Sequence, residues 1–148
     1  MTISEAWRVR EAFVDADPEH QKLAAIHTNQ CELVQKAEQK LFGCTHKLQR
    51  LLLARDLMQS KAFDFESVTE EQEATLELTG QGSESWFGDY DRAADDLTEL
   101  VVQLCSLISE LAATRDRLRE AREKAWDVRN AKAKELRAAW NEANPQQN

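Results

Sequence analysis

Two histidines and two cysteines in the first half of the chain are residue types that bind transition metals. His27 and Cys31 are one helical turn apart, and Cys44 and His46 follow further along. A structural zinc site holds one ion with four such ligands, whereas on a continuous helix Cys44 would lie roughly 25 Å from His27 at about 1.5 Å per residue. A kink at Gly43 would shorten that distance without bringing the two pairs together. We therefore predict no metal site and no cofactor.

The motifs of known catalytic centres are missing from the sequence. There is no Gly-x-Ser-x-Gly, no glycine-rich phosphate loop and no pair of histidines near a serine or cysteine nucleophile. Carboxylate di-iron bundles use Glu-x-x-His inside helices, and the nearest match, Asp17-x-x-His20, straddles a predicted helix start. We predict that the protein is not an enzyme.

A basic stripe in the second half could follow a phosphate backbone. Its members recur at spacings of 4, 3, 4 and 3: Arg115, Arg119, Arg122, Trp126 and Arg129. Acidic residues alternate with them, and the net charge of −8 repels nucleic acid. We interpret the stripe as the basic shoulders of a coiled coil that meet acidic flanks, with Trp126 as an interface anchor, and expect no nucleic-acid partner.

The element that carries this stripe is predicted to be one long helix, a second arm over residues 89–142 whose heptad seam runs over residues 90–139. With Leu97 at heptad position a, positions a and d form a continuous apolar seam, and Val101 and Ile108 at position e widen it. After Thr114 the seam narrows to small residues with arginines beside it, as in a two-stranded coiled coil. The seam residues are Tyr90, Ala93, Leu97, Leu100, Leu104, Leu107, Leu111, Thr114, Leu118, Ala121, Ala125, Val128, Lys132, Glu135 and Ala139.

Two further helices are predicted before this one. Ile3, Trp7 and Val14 recur at helical spacing and predict a short amphipathic helix over residues 4–15. Asp17 is a suitable N-cap, and Pro18 fits the first position of a long arm over residues 18–62. The seam of this arm is weaker, with polar residues at several positions. Gly43 could break the arm, but we favour a continuous or slightly kinked helix.

Residues 63–88 are predicted to form an acidic connector with a short helix over residues 70–78. One interpretation is a solvated loop whose aromatic side chains, Trp86, Phe87 and Tyr90, contact the end of the hairpin. The other is an acidic and aromatic segment that binds a basic partner. Residues 62–114 carry 13 acidic side chains and one basic one, whereas residues 115–137 carry nine basic and five acidic ones.

The fold class that follows is all-α. We predict an elongated antiparallel helical hairpin, or coiled coil, in a single helical domain of residues 1–143 with a disordered tail of residues 144–148. A second copy would complete a four-helix bundle. No apolar run of 18 residues and no signal peptide is apparent. We therefore expect a soluble, cytoplasmic protein with no membrane partner, and secretion without a conventional signal peptide stays open.

The function predicted from this pattern is that of a non-enzymatic coiled-coil module for protein–protein interaction, an adaptor or an assembly subunit. Its partner would be a second copy or another helical protein. One alternative is a small acidic inhibitor that occupies a basic site on a target, because of the acidic middle segment. A further alternative is a secretion chaperone or a secreted helical hairpin. The predicted interface residues are Leu97, Val101, Leu104, Ile108, Leu111, Arg115, Arg122, Trp126 and Arg129, with Trp86, Phe87 and Tyr90 as connector contacts.

The tripeptide Trp86-Phe87-Gly88, placed between two predicted helices, resembles the Trp-x-Gly turn of the WXG100 family. The resemblance implies a secreted helical hairpin that forms four-helix dimers and is exported by a type VII system. It covers the hinge and the hairpin only. The chain is longer than is usual in that family and lacks a Tyr-x-x-x-Asp/Glu export signal after the second helix, which puts export by that route in doubt.

Overall fold

The computed structural model describes the backbone of residues 2–66 and 83–147 and the side chains of residues 2–60 and 89–146. Within these ranges the chain is helical and contains no strand. Helix α1 spans Ile3–Ala16, α2 spans Pro18–Glu66 and α3 spans Ser83–Ala143, followed by a 3-10 helix at Pro145–Gln147. The prediction of an all-α fold is confirmed for the described residues. Within the tail of residues 144–148, for which disorder is predicted, Pro145–Gln147 form the 3-10 helix.

Local hydrogen bonds fix the first two helix starts. Thr2 and Glu5 form a capping box at the start of α1, in which each side chain accepts a hydrogen bond from the other residue's backbone N–H. Asp17 ends α1 and caps α2, because its Oδ1 accepts a hydrogen bond of 2.8 Å from the backbone N–H of His20. The predicted roles of Asp17 and Pro18 are therefore confirmed.

The helix ends around the predicted connector differ from the prediction. Helix α2 continues to Glu66, and α3 already begins at Ser83, so Trp86-Phe87-Gly88 lies inside a helix and not in a turn. A single glycine inside a helix costs only about 1 kcal/mol, so Gly88 does not end α3. The predicted short helix over residues 70–78 lies outside the described residues. Gly43 lies within α2, which is a single helix.

The chain forms two compact units. Unit 1 comprises Met1–Gln39 and Ala113–Asn148, and unit 2 comprises Lys40–Ala112. Unit 1 contains α1, the first part of α2 and the last part of α3, whereas unit 2 contains the remaining parts of α2 and α3.

Unit 1 is a packed three-helix unit. Rising residue numbers on α2 meet falling numbers on α3, as the contacts Glu19–Lys132 and His27–Trp126 show, so these segments are antiparallel. Helix α1 packs onto them through Val14, which forms a buried cluster with residues of α3. The buried apolar residues of the unit are Ala6, Val14, Val34, Ala37, Ala133, Leu136 and Trp140.

The predicted seam is wrong at the end of α3. Val128 is 52% exposed, and Glu135 and Ala139 are exposed as well, whereas Ala133, Leu136 and Trp140 are buried. Two causes account for this shift by one position. A straight helix drifts by about 20° per heptad relative to a 3.5-residue repeat, and α1 covers the adjacent face of α3 through the cluster with Val14.

The buried face of α1 also differs from the prediction. Ile3 and Trp7 are exposed, and Trp7 retains 56% of its accessible surface. Val14, the third residue of the predicted spacing, is buried as expected, and Ala6 is buried as well. The apolar spacing thus gives the correct face for Val14, which packs against Ala133 and Leu136 of α3, but not for the two residues nearer the start of the helix.

Unit 2 has a much thinner core. Among its described residues only Ala94 and Val101 are buried. Several large apolar residues of both helices are half-buried: Leu48, Leu51, Leu97, Leu104, Ile108 and Leu111. The two described helix segments of unit 2 therefore leave part of their apolar surface in contact with water.

Candidate protein-interaction surfaces

An apolar groove runs between the two helices of unit 2, and we call it the unit 2 groove. Its cavity volume is about 490 Å³. Leu51 of α2 and three leucines of α3 form its apolar floor, and three polar side chains stand at its edges. The lining residues are Lys47, Arg50, Leu51, Leu100, Gln103, Leu104 and Leu107.

The groove exists because α2 covers only one side of the leucine stripe on α3. Val101, at heptad position e, is buried, and Ile108, one heptad later, is half-buried. The leucines at position d remain open, since Leu100 is 48% and Leu107 44% exposed. The stripe is thus wider than one opposing helix covers, as its a, d and e residues indicate.

The predicted interface residues of the stripe fall into two groups. Val101 is part of the small core, whereas Leu97, Leu104, Ile108 and Leu111 are half-buried. Leu100 and Leu107, which belong to the seam but not to the predicted interface set, are the most exposed leucines of the groove. These leucines are more exposed than their neighbours only because of where α2 packs. The heptad pattern of α3 does not indicate the position of α2.

Charges of opposite sign stand on the two edges of the unit 2 groove. At 100° per residue, Lys40, Lys47 and Arg50 lie along one edge of α2. Asp96, Glu99 and Glu110 lie on the same edge of α3 as Gln103, which lines the groove. All six charged residues are exposed. None of them forms an ion pair with a described residue.

A second, polar groove lies in unit 1 around the predicted basic stripe. His27 of α2 packs against Trp126 of α3 with ring centroids 5.2 Å apart. The Sγ of Cys31 lies 3.6 Å from Nε2 of His27. Arg119, Arg122 and Glu123 complete the lining, and the cavity volume is about 420 Å³.

The arginines of the stripe largely contact the chain itself. Arg119 donates a hydrogen bond of 3.1 Å from Nε to Oε1 of Glu38 on α2. Arg115 pairs with the adjacent Asp116. The guanidinium of Arg129 lies 5.7 Å from the centroid of the Trp126 ring, within the range of a cation–π contact. Arg122 lines the polar groove. Among these arginines, Arg119 alone pairs with an acidic residue of α2 within the described residues, so the interpretation of the whole stripe as basic shoulders that meet acidic flanks stays a prediction.

Ion pairs also join the helices of unit 1 at its other end. Arg137 donates hydrogen bonds to both carboxylate oxygens of Glu11, 2.9 Å from Nε to Oε1 and 2.7 Å from Nη2 to Oε2. This bidentate contact lowers the pKa of Glu11 and raises the pKa of Arg137. The carboxylate of Glu19, 2.9 Å from Nζ of Lys132, raises the pKa of that lysine.

The remaining predicted contacts and ligands are less informative. Tyr90 is half-buried and has an interaction partner, whereas the side chains of Trp86 and Phe87 lie outside the described residues. Within residues 2–60 and 89–146, no group of three or more histidine, cysteine or acidic side chains could hold a metal ion. Cys31, Cys44 and Cys105 are free thiols.

The leucine stripe also gives α3 a segment that could cross a membrane by length and composition. Within Asp89–Ala143, a window of 18 residues has a mean hydropathy of 1.4, and 6% of it is buried. In the heptad, however, Glu99, Gln103 and Glu110 occupy positions between the leucines. A stripe on one face is typical of a helix that packs on protein, whereas membrane spans are apolar on all sides.

No family model, curated protein or solved structure matches this chain. The resemblance to the WXG100 family therefore rests on Trp86-Phe87-Gly88 alone, and these residues lie inside α3. A function must be inferred from the surfaces themselves.

Proposed function

We propose that the protein is a non-enzymatic coiled-coil module for protein–protein interaction, an adaptor or an assembly subunit. The observation that supports this proposal is the open d side of the leucine stripe in unit 2. Leu100 and Leu107 are about half exposed beside a groove lined with further leucines. Contiguous apolar surface of this kind marks an interaction site.

The contrast between the two units strengthens the argument. In unit 1 the third helix, α1, packs on α3 and buries Val14 together with Ala133 and Leu136. In unit 2 no third helix among the described residues covers the corresponding face. Complete burial of an exposed leucine side chain contributes about 1.5–3 kcal/mol. Because Leu100 and Leu107 are about half exposed, a partner helix seated on them would gain roughly half of that amount for each.

The form of the groove indicates which kind of partner it fits. A groove between two helices, with leucines at positions 100, 104 and 107, presents side chains at the 3- and 4-residue spacing that another helix can match. Polar residues flank it on both edges and would fix the register of such a helix. An extended peptide or a small ligand would not match this repeat along its length.

Photo-cross-linking in the source cells tests this proposal. A photoreactive phenylalanine analogue at position 100 should form a protein adduct, because the side chain lies in the proposed interface. The same analogue at position 106 is the matched control, since Ser106 is exposed on the same helix at heptad position c, away from the seam. Mass spectrometry of the adduct then identifies the partner.

Three outcomes are informative. A protein adduct at position 100 but not at position 106 supports an interaction module, whether the captured protein is another copy or a different chain. Lipid adducts at position 100 would instead support insertion of α3 into a membrane and contradict the proposal. Equal adducts at both positions, or none at position 100, would contradict it as well.

A further inference from the structure

We infer that the occupant of the unit 2 groove is a second copy of this chain, bound through the same groove. This inference rests on the proposed function and adds the identity of the partner. The charges on the two edges of the groove support a second copy as the occupant, and so do the ion pairs that similar charges form in unit 1.

The edges of the groove are complementary to each other. Residues 40–60 of α2 carry four basic and one acidic side chain, a net charge of +3, whereas residues 89–112 of α3 carry one basic and six acidic ones, a net charge of −5. The basic edge consists of Lys40, Lys47 and Arg50, and the acidic edge of Asp96, Glu99 and Glu110. A surface that carries both members of a complementary pair can bind a copy of itself.

In unit 1, side chains of opposite charge form ion pairs between neighbouring helices. Its helices are joined by the pairs Glu11–Arg137, Glu19–Lys132 and Glu38–Arg119. In unit 2 the only ion pairs between described residues join near neighbours on one helix, Arg55–Asp56 and Asp89–Arg92. The two edges of the groove therefore keep their charges available for a partner.

The symmetry of a dimer selects one arrangement. A two-fold axis parallel to the helices and between the two copies would place α2 of each copy opposite α3 of the other. Lys47 and Arg50, which lie beside Leu100, Gln103 and Leu107 within the chain, would then face the same level of the partner's α3. The basic edge of each copy meets the acidic edge of the other, and both contacts are equivalent.

The alternative two-fold axis, perpendicular to the helices, would place like helices opposite each other. The basic edge would then face a basic edge and the acidic edge an acidic one, which repels. In the first arrangement the leucines of both grooves form a common core, and the four helix segments make a bundle with alternating charge around it. The observed charges favour only this bundle.

Charge reversal followed by mixing tests the inference. One variant carries Lys47→Glu and Arg50→Glu, and the other carries Glu99→Lys and Glu110→Lys. Each variant alone would bring like charges together at both contacts and should be a monomer. In an equal mixture each reversed edge finds a complementary one, so a heterodimer should form. Native mass spectrometry, with one variant isotope-labelled, distinguishes the heterodimer from the two homodimers.

Both variants are expected to fold, because only exposed side chains are changed. Formation of the heterodimer would show that they do. Homodimers of either variant as abundant as those of the wild-type chain, or a mixture that remains monomeric, would overturn the inference. Cross-links from position 100 to a different protein, together with a monomeric wild-type chain, would also overturn it while leaving the proposed interaction module intact. Absence of any protein adduct would refute the proposed function itself.

Discussion

The contact between Glu11 and Arg137 is the most specific polar contact between α1 and α3 in unit 1. Its two hydrogen bonds lie at 2.9 and 2.7 Å, and the carboxylate is largely shielded from solvent. The arginine lowers the pKa of Glu11 because it favours the charged carboxylate. This carboxylate therefore stabilises the folded chain in its ionised form.

Glu11→Gln is expected to lower the free energy of unfolding by about 0.5–1 kcal/mol at neutral pH, the range of a partly exposed bidentate pair. Because the pKa of Glu11 is lower in the folded chain than in the unfolded one, the stabilisation is complete above the ordinary glutamate pKa of about 4.3. It is lost as the pH falls through the lowered value. Denaturant unfolding of both chains across this pH range checks the expectation.

The matched control is Glu32→Gln. Glu32 is exposed and has no partner among the described residues, so its replacement should change stability by less than about 0.5 kcal/mol. A difference between wild type and Glu11→Gln that stays constant into acid would mean that Glu11 and Arg137 do not form the observed contact in solution.

At the scale of single residues, helix caps could be predicted from the sequence, whereas ion pairs between helices could not. Asp17 and Pro18 were recognisable because capping depends on residues next to each other in the chain. The pair of Glu11 with Arg137 depends on two segments far apart in sequence, so no local pattern indicates it. The predicted acidic flanks of the basic stripe are present in Glu38, which bonds Arg119, although the sequence did not specify which acid would be used.

Helix α1 decides which part of α3 is buried in unit 1. Trp140 belongs to the buried residues, whereas Trp7 on α1 remains 56% exposed. Trp140→Ala should therefore cost about 3–5 kcal/mol, the range for a buried aromatic side chain. Trp7→Ala, the matched control, should cost no more than about 1 kcal/mol. Thermal or denaturant unfolding followed by circular dichroism measures both.

Similar losses for the two tryptophan variants would contradict the packing of α1 described above. So would a larger loss for Trp7→Ala, which the apolar spacing of Ile3, Trp7 and Val14 alone would predict. The comparison thus distinguishes the buried face seen in the structure from the face expected from spacing.

At the scale of elements the type of structure could be predicted, but the exact buried faces could not. Periodic leucines and few glycines predict two long helices, and both are observed in the described part of the chain after the short α1. The register at the end of α3 depends on α1, which adds a third surface that the heptad of a two-stranded seam does not include. The start of α3 differs from the prediction because residues 63–88 are predicted to form the connector, whereas Ser83, Ser85 and Gly88 all lie in the helix.

At the scale of the whole molecule, the two units differ in how far they cover the apolar stripe of α3. Unit 1 covers its apolar stripe with α1 and joins its helices with ion pairs. Unit 2 leaves the d side of its stripe open and its edge charges without a partner in the described part of the chain. The a, d and e residues of the stripe predict that it is wider than one opposing helix can cover. The charged edges of the groove could not be predicted, because they depend on where α2 packs.

The measurement that tests this account most directly is the solution mass by size exclusion with light scattering, over a range of protein concentrations. The account predicts twice the chain mass of 16.9 kDa for wild type. It predicts the same doubled mass for the matched control Ser106→Asp. Leu104→Asp should give the mass of a single chain, because it places an unpaired charge in the groove. A wild-type chain that remains at 16.9 kDa at every concentration, or a Leu104→Asp chain that keeps the doubled mass, would contradict the account.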